Sequence, residues 1–281
     1  MKELLVAEWE RLWKRKVAWL TFLLVPVVLL VASSYLQKQN GALTVDLPQY
    51  TFAGNFPVLS LAEMLFTVFN AMFLVFITLV VTEEYRSGQL RMVMMRSYSF
   101  KEIILAKAIA LLLFNLLFFI TYFCVSYAIG FLMFEHPQSY FVFYHSHTFN
   151  IKEALVYNLA FYGYAYLTTI AICCVLFFIS VISKTTTTAV GIGVAFILIS
   201  FSYPTLLRGF RQWMSEELFG QLFFTSVPMI QWQGITVMMA ENPQFVGWNV
   251  GVLGFYILFF GGLTYVAIRK KRIVSIKGEK T

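Results

Sequence analysis

Six long apolar runs separated by shorter polar segments set the pattern of the chain. They cover about Val17–Leu36, Leu61–Thr82, Ala106–Phe134, Ala154–Ile182, Thr188–Leu207 and Trp248–Ile268. A helix needs about 20 apolar residues to cross a hydrocarbon layer about 30 Å thick. The runs are continuously apolar, without the alternation of a barrel strand. A helix also satisfies its own backbone hydrogen bonds in lipid. The pattern therefore predicts an all-α integral membrane protein with six transmembrane helices. Val17–Leu36 holds 20 residues, longer than the roughly 7–15 of a signal-peptide core, so it reads as the first span.

The polar segments are patterned too. In residues 1–16, Leu5, Trp9, Leu12 and Trp13 fall on one helical stripe while Glu10, Arg11, Lys14 and Arg15 take the rest of the surface. This predicts an amphipathic interfacial helix, an elbow preceding a six-helix domain over 17–281. Residues 37–60 read as a polar loop. Residues 208–247 are mixed: Leu218–Met239 is apolar but broken by Gly220, Pro228 and Gly234, which predicts short re-entrant helices before the last span.

Composition agrees. Hydrophobic residues make up 59% of the 281 and charged residues 12%, about half the charge of an ordinary soluble domain. The net charge of +7 first suggests nucleic acid, but its placement says otherwise. Of the 21 Lys and Arg, all but Lys38, Lys152, Arg208 and Arg211 fall on one side when both termini share that side. The positive-inside rule makes that side the cytoplasm. Membrane lipid, with no nucleic acid, accounts for the basic balance. Cys124, Cys173 and Cys174 lie inside apolar runs and read as small packing residues.

Most catalytic chemistry is excluded. No G-x-x-x-x-G-K-[ST] run occurs, so a nucleotide would have to sit on another chain. Gly191 and Gly193 lie in a span, where glycine permits close helix packing. Glu83-Glu84 is followed by Gly88 where an intramembrane glutamic protease needs arginine, and no G-x-S-x-G or H-E-x-x-H is present. Arg86, Arg91 and Arg96 are spaced by five rather than three and lie in a loop, unlike a voltage sensor. His136, His145 and His147 include an H-x-H pair, yet Glu135 is the one acidic residue near them in sequence, so no metal site is expected. Polar residues within spans mark the candidate substrate path: Glu63, Asn70 and Asn115, with Asn158 in the fourth span. Glu63 otherwise reaches the outer interface.

The most informative stretch is the loop at 83–107. Ser87 reads as a helix cap, and Leu90, Val93 and Met94 form an apolar stripe on a short helix at about Gly88–Arg96, with Arg91 solvated. Such a helix suits docking in a groove of a soluble partner. Here the chain resembles the permease subunits of ABC-2 type transporters. Glu84 at the end of the second span, Gly88 four residues later, Ser99, and Lys107 opening the third span match that family. Ser97 stands where the family commonly has proline, and Phe100 where it has arginine. The layout of the whole chain resembles it as well.

The resemblance implies a non-catalytic transmembrane subunit of an exporter in the bacterial plasma membrane, with both termini cytoplasmic. Its partners would be two cytoplasmic ATPase subunits, carrying ATP and Mg, and a second permease subunit. Glu84, Gly88, Leu90, Arg91, Val93, Met94, Arg96 and Lys107 would form the ATPase-coupling site. No cofactor is expected in this chain. An amphipathic peptide, antibiotic or lipid is the expected cargo. An ion-gradient-driven secondary carrier or a non-transport membrane assembly factor are the alternatives.

Overall fold

A computed structural model describes residues 2–86 and 99–278. Six of its helices are long and apolar enough to cross a membrane: Lys16–Asn40, Phe56–Thr82, Lys101–Met133, Ile151–Ile182, Thr186–Arg208 and Val246–Arg269. Each coincides with one of the apolar runs. The runs understate the helices because polar caps extend them. Ser99 accepts from the Glu102 amide while the Glu102 carboxylate accepts from the Ser99 amide, a capping box that starts the third span well before Ala106. Asn150 and Glu153 do the same for the fourth.

In chain order, α1 (Lys2–Trp13) precedes α2 (Lys16–Asn40). The second span comprises α3 (Phe56–Met64), a π turn (Leu65–Phe69) and α4 (Asn70–Arg86). Then come α5 (Phe100–Met133), α6 (Ile151–Ile182) and α7 (Thr186–Arg208). The segment before the last span folds into α8 (Glu216–Phe223), α9 (Val227–Met229), a second π turn (Ile230–Gly234) and α10 (Ile235–Met238). The last span is α11 (Val246–Gly278). Helix α6 is central, packing against α4 and α11, while α1 and α2 lie along α5.

Three features depart from the pattern. The first is a two-stranded antiparallel ribbon, β1 (Ser139–Phe141) with β2 (Thr148–Asn150), in which Tyr140 faces Phe149. The second lies on α1. Its buried stripe is Leu4, Glu8 and Leu12, with Leu5, Trp9 and Trp13 packed beside it. Helical periodicity puts Glu8 on the apolar stripe itself, between Leu5 and Leu12, and an ion pair allows the carboxylate to be buried there. The third is that Lys107 does not open the third span. It lies two turns inside α5.

Small residues set the close approaches. A Cβ on Gly193 would run into the Leu74 side chain, as its placement in a span predicts, whereas Gly191 faces open space. A Cβ on Gly220 would strike the ring of Phe245, itself held at φ +55°. The two π turns each present an amide: Asn70 follows the first and Gln231 lies in the second. Asn70 Nδ2 donates to Gln231 Oε1 at 2.7 Å, both side chains being buried. This pair ties the middle of the second span to the broken segment.

The two ends of the bundle differ. At the end bearing the termini, α1 packs on α5 and Lys101 meets Tyr265. At the opposite end, loops interlock: Ala53 donates to the Glu135 carbonyl, Asn158 to the Gly54 carbonyl and Glu241 to the Tyr144 carbonyl. Outward faces are apolar, with Leu23, Val31, Leu198, Ile199 and Leu258 exposed. Lipid, not water, is the solvent that suits such a surface.

Candidate functional site

A cavity of about 300 Å³ lies between the second, third, fourth and sixth spans. Its walls are Phe73, Phe76 and Ile77 of α4, the Ile104–Leu112 stretch of α5, Phe177 of α6 and Ile268 of α11. Cys173 and Cys174 also line it, as free thiols. At one end Lys101 Nζ donates to the Tyr265 hydroxyl at 3.1 Å and sits 4.7 Å from its ring centroid. At the other end of the α5 wall is Asn115. Fourteen residues of helix separate Lys101 from Asn115, about 21 Å along the axis at 1.5 Å per residue.

Asn115 is the unusual group of this cavity. It is 2% exposed, and neither Oδ1 nor Nδ2 has a hydrogen-bond partner among the described residues, a state it shares with Asn249 of α11, which does not line the cavity. An unpaired buried amide costs about 1–3 kcal/mol. Thr264 on the facing helix binds its own Phe260 carbonyl at 2.7 Å and offers no relief. The cavity is thus an apolar slot with an unpaired amide at its inner end and a cation at its mouth. Its size and lining suit a molecule with an apolar body and a few polar groups.

The other two candidate path residues lie elsewhere. Asn70 is committed to Gln231 and to the Phe66 carbonyl. Glu63 is exposed on α3. Neither lines the cavity. Asn158 is structural as well, bridging the Gly54 carbonyl at 2.7 Å and the Tyr127 hydroxyl at 2.6 Å.

Of the residues assigned to coupling, Lys107 is buried. Its Nζ lies 2.7 Å from Glu8 Oε2, both side chains being 2% exposed, and Arg11 Nη1 approaches Glu8 Oε1 at 2.8 Å. Just beyond α1, Arg15 Nη1 donates to the Leu79 carbonyl of α4 at 3.1 Å. The amino-terminal segment therefore grips both helices that flank the 83–98 stretch. Glu84 falls in the last turn of α4. Ser87, Gly88, Leu90, Arg91, Val93, Met94, Arg96 and Ser97 lie outside the described residues. Sequence reasoning missed Glu8. A lone acid at i+4 between Leu4 and Leu12 was the available signal.

A second polar cluster sits at the opposite end. His145, His147 and Glu241 each offer a ligand atom, all within 4.8 Å of one another. His145 Nε2 lies 2.9 Å from the Met239 carbonyl, and Ser146 donates its amide and hydroxyl to Glu241 Oε2 at 2.8 and 2.7 Å. Those two bonds, reinforced by the nearby imidazoles, hold the Glu241 carboxyl below its usual range. The acidic neighbour of the H-x-H pair is thus Glu241, not Glu135. His136 is apart from the cluster, its ring tilted at 42° to that of Phe131.

These features define an all-α, multi-pass membrane protein built around a central fourth span. The chain belongs to the family described as a protein of unknown function, DUF2705, whose model matches residues 19–274. No curated protein matches it.

Proposed function

We propose that the chain is the membrane-spanning permease subunit of an ATP-driven, ABC-2 type exporter. The observation that carries this reading is the grip of the amino-terminal segment on both sides of the 83–98 stretch. Glu8 holds α5 through Lys107, and Arg15 holds α4 through the Leu79 carbonyl. A push on that stretch from a soluble partner would be passed to two spans and to the elbow together. Those same two spans form walls of the cavity. A displacement there changes the slot that would hold cargo.

In this reading α1 is an interfacial elbow on the cytoplasmic leaflet of a bacterial plasma membrane, and both termini are cytoplasmic. The basic residues near the termini favour that orientation. The segment from α8 to α10 dips into the outer leaflet without crossing it. Two ATPase subunits bind below, and a second permease subunit completes the transport unit. Cargo is amphipathic: its apolar body fills the Phe- and Leu-lined slot, its head group meets Lys101, and a polar group along its length satisfies Asn115. ATP-driven closure below supplies the work. Only a contact that differs between the two states can shift the equilibrium.

The test is co-purification of the tagged chain from its native membrane in mild detergent. An ATPase subunit should accompany it and be lost when Leu90 and Met94 are both changed to Asp. Transport by the isolated chain in liposomes without ATP would overturn the proposal.

A further inference from the structure

We infer that His145, His147 and Glu241 form a binding site for a divalent cation of the zinc class. It would clasp two loops at the end of the bundle opposite the termini. The site is independent of the transport reading.

Two imidazoles and a carboxylate form a common zinc ligand set that leaves a fourth position for water. The three ligand atoms here lie within 4.8 Å of one another. A tetrahedral ion with Zn–N and Zn–O near 2.0–2.1 Å needs ligand atoms about 3.3 Å apart. The longest separation must therefore shrink by about 1.5 Å. His147 and Glu241 are exposed, so their side chains can rotate inward without displacing the core.

The surroundings have the character of an outer ligand shell. A carbonyl oxygen can only accept, so His145 Nε2 must carry the proton it gives to Met239 at 2.9 Å. In a neutral ring the lone pair is then on Nδ1, and that atom is buried with no hydrogen-bond partner. Fixing the tautomer of a ligand histidine through a backbone carbonyl is the usual device of metal sites. Glu241 is oriented likewise. Both Ser146 bonds fall on Oε2, leaving Oε1 for an ion. The imidazole rings of His145 and His147 are 5.7 Å apart and nearly perpendicular, and Phe149 lies against both.

The site joins parts of the chain that are far apart in sequence. The histidines precede β2, between the third and fourth spans. Glu241 follows α10, before the sixth. An ion there would cross-link the ribbon loop to the segment entering the last span, and so restrain any opening of that end.

The test uses the full chain in detergent, stripped with a chelator and then titrated with Zn²⁺ against a chromophoric competitor. One ion per chain is expected, with micromolar or tighter affinity, and Co²⁺ should give the visible bands of a tetrahedral site. H147Q and E241Q should each weaken binding by at least about tenfold, while H136Q leaves it unchanged. Both test positions are exposed, and the E241Q side chain retains an oxygen for Ser146, so folding should survive. An unchanged elution profile in size-exclusion chromatography checks this. Absence of stoichiometric binding in the wild type would overturn the site. So would equal affinity in H147Q, E241Q and wild type.

Discussion

Replacing Lys107 by Met tests the structural role of the Glu8 ion pair. The substitution keeps the unbranched stem of the side chain but removes its terminal ammonium, leaving Glu8 2% exposed. Breaking a buried pair by removing one partner costs about 3–5 kcal/mol, because the remaining charge stays desolvated. Arg11 still lies 2.8 Å from Glu8, with its own side chain 34% exposed. That residual partner places the cost near the lower figure, about 3 kcal/mol. At about 2–4 °C per kcal/mol for a chain of 150–250 residues, the melting temperature should fall by roughly 6–12 °C. E8Q should lower it in the same direction. The assay is thermal unfolding of the full chain in nanodiscs, with wild type, K107M, E8Q and E8Q/K107M measured together. The double variant should lose less than the sum of the singles, by at least about 1 kcal/mol, since neighbouring members of one network do not add. Raising salt from about 0.1 M to 1 M should leave this coupling intact, because a buried pair is poorly screened. Strict additivity, or losses below about 2 °C for both single variants, would refute the reasoning.

Two further substitutions separate stability from function. Asn115→Leu replaces an unpaired buried amide with an apolar group facing a cavity, so it should stabilise the chain by about 1–3 kcal/mol. If the chain is the proposed permease, the same change should abolish stimulation of its ATPase by cargo, measured as turnover in the reconstituted complex; a loss of stability instead would remove Asn115 from the site. Asn70→Leu leaves Gln231 buried with its amide unpaired and should cost about 1–3 kcal/mol in thermal unfolding, whereas Asn70→Leu with Gln231→Leu should recover most of the loss.

The sequence carries the six spans plainly, because lipid selects for apolar length and the one further apolar stretch, Leu218–Met239, is broken by Gly220, Pro228 and Gly234. Its two candidate close-packing glycines divide: Gly193 meets Leu74, while Gly191 faces open space, because the same apolar run does not say which side of the helix has a neighbour. Other features were hidden by distance. Glu8 stands out as an acid on the apolar stripe of α1, but its partner Lys107 is 99 residues away, and no local period can identify that partner. The His145–Glu241 neighbourhood depends on a backbone contact between Tyr144 and Glu241, again across most of the fold. The ribbon was obscured for another reason. Its strands are three residues each, too short for alternation to stand out, although Tyr140, Val142 and Phe149 are each buried between neighbours that are not. The cavity was half legible. Asn115 is conspicuous as an amide in an apolar run, but which of several such amides lacks a partner is decided only by packing.

The Glu8–Lys107 pair also bears on how the chain is made. Helix α1 emerges from the ribosome while Lys107 is still unsynthesised. A buried carboxylate without its ammonium partner is costly in a low-dielectric medium, so α1 has no settled seat until α5 has entered the bilayer. Helix α1, though translated before α5, therefore docks after it. The seat of α1 thus depends on the placement of the third span, and the pair ties the two together in the finished protein.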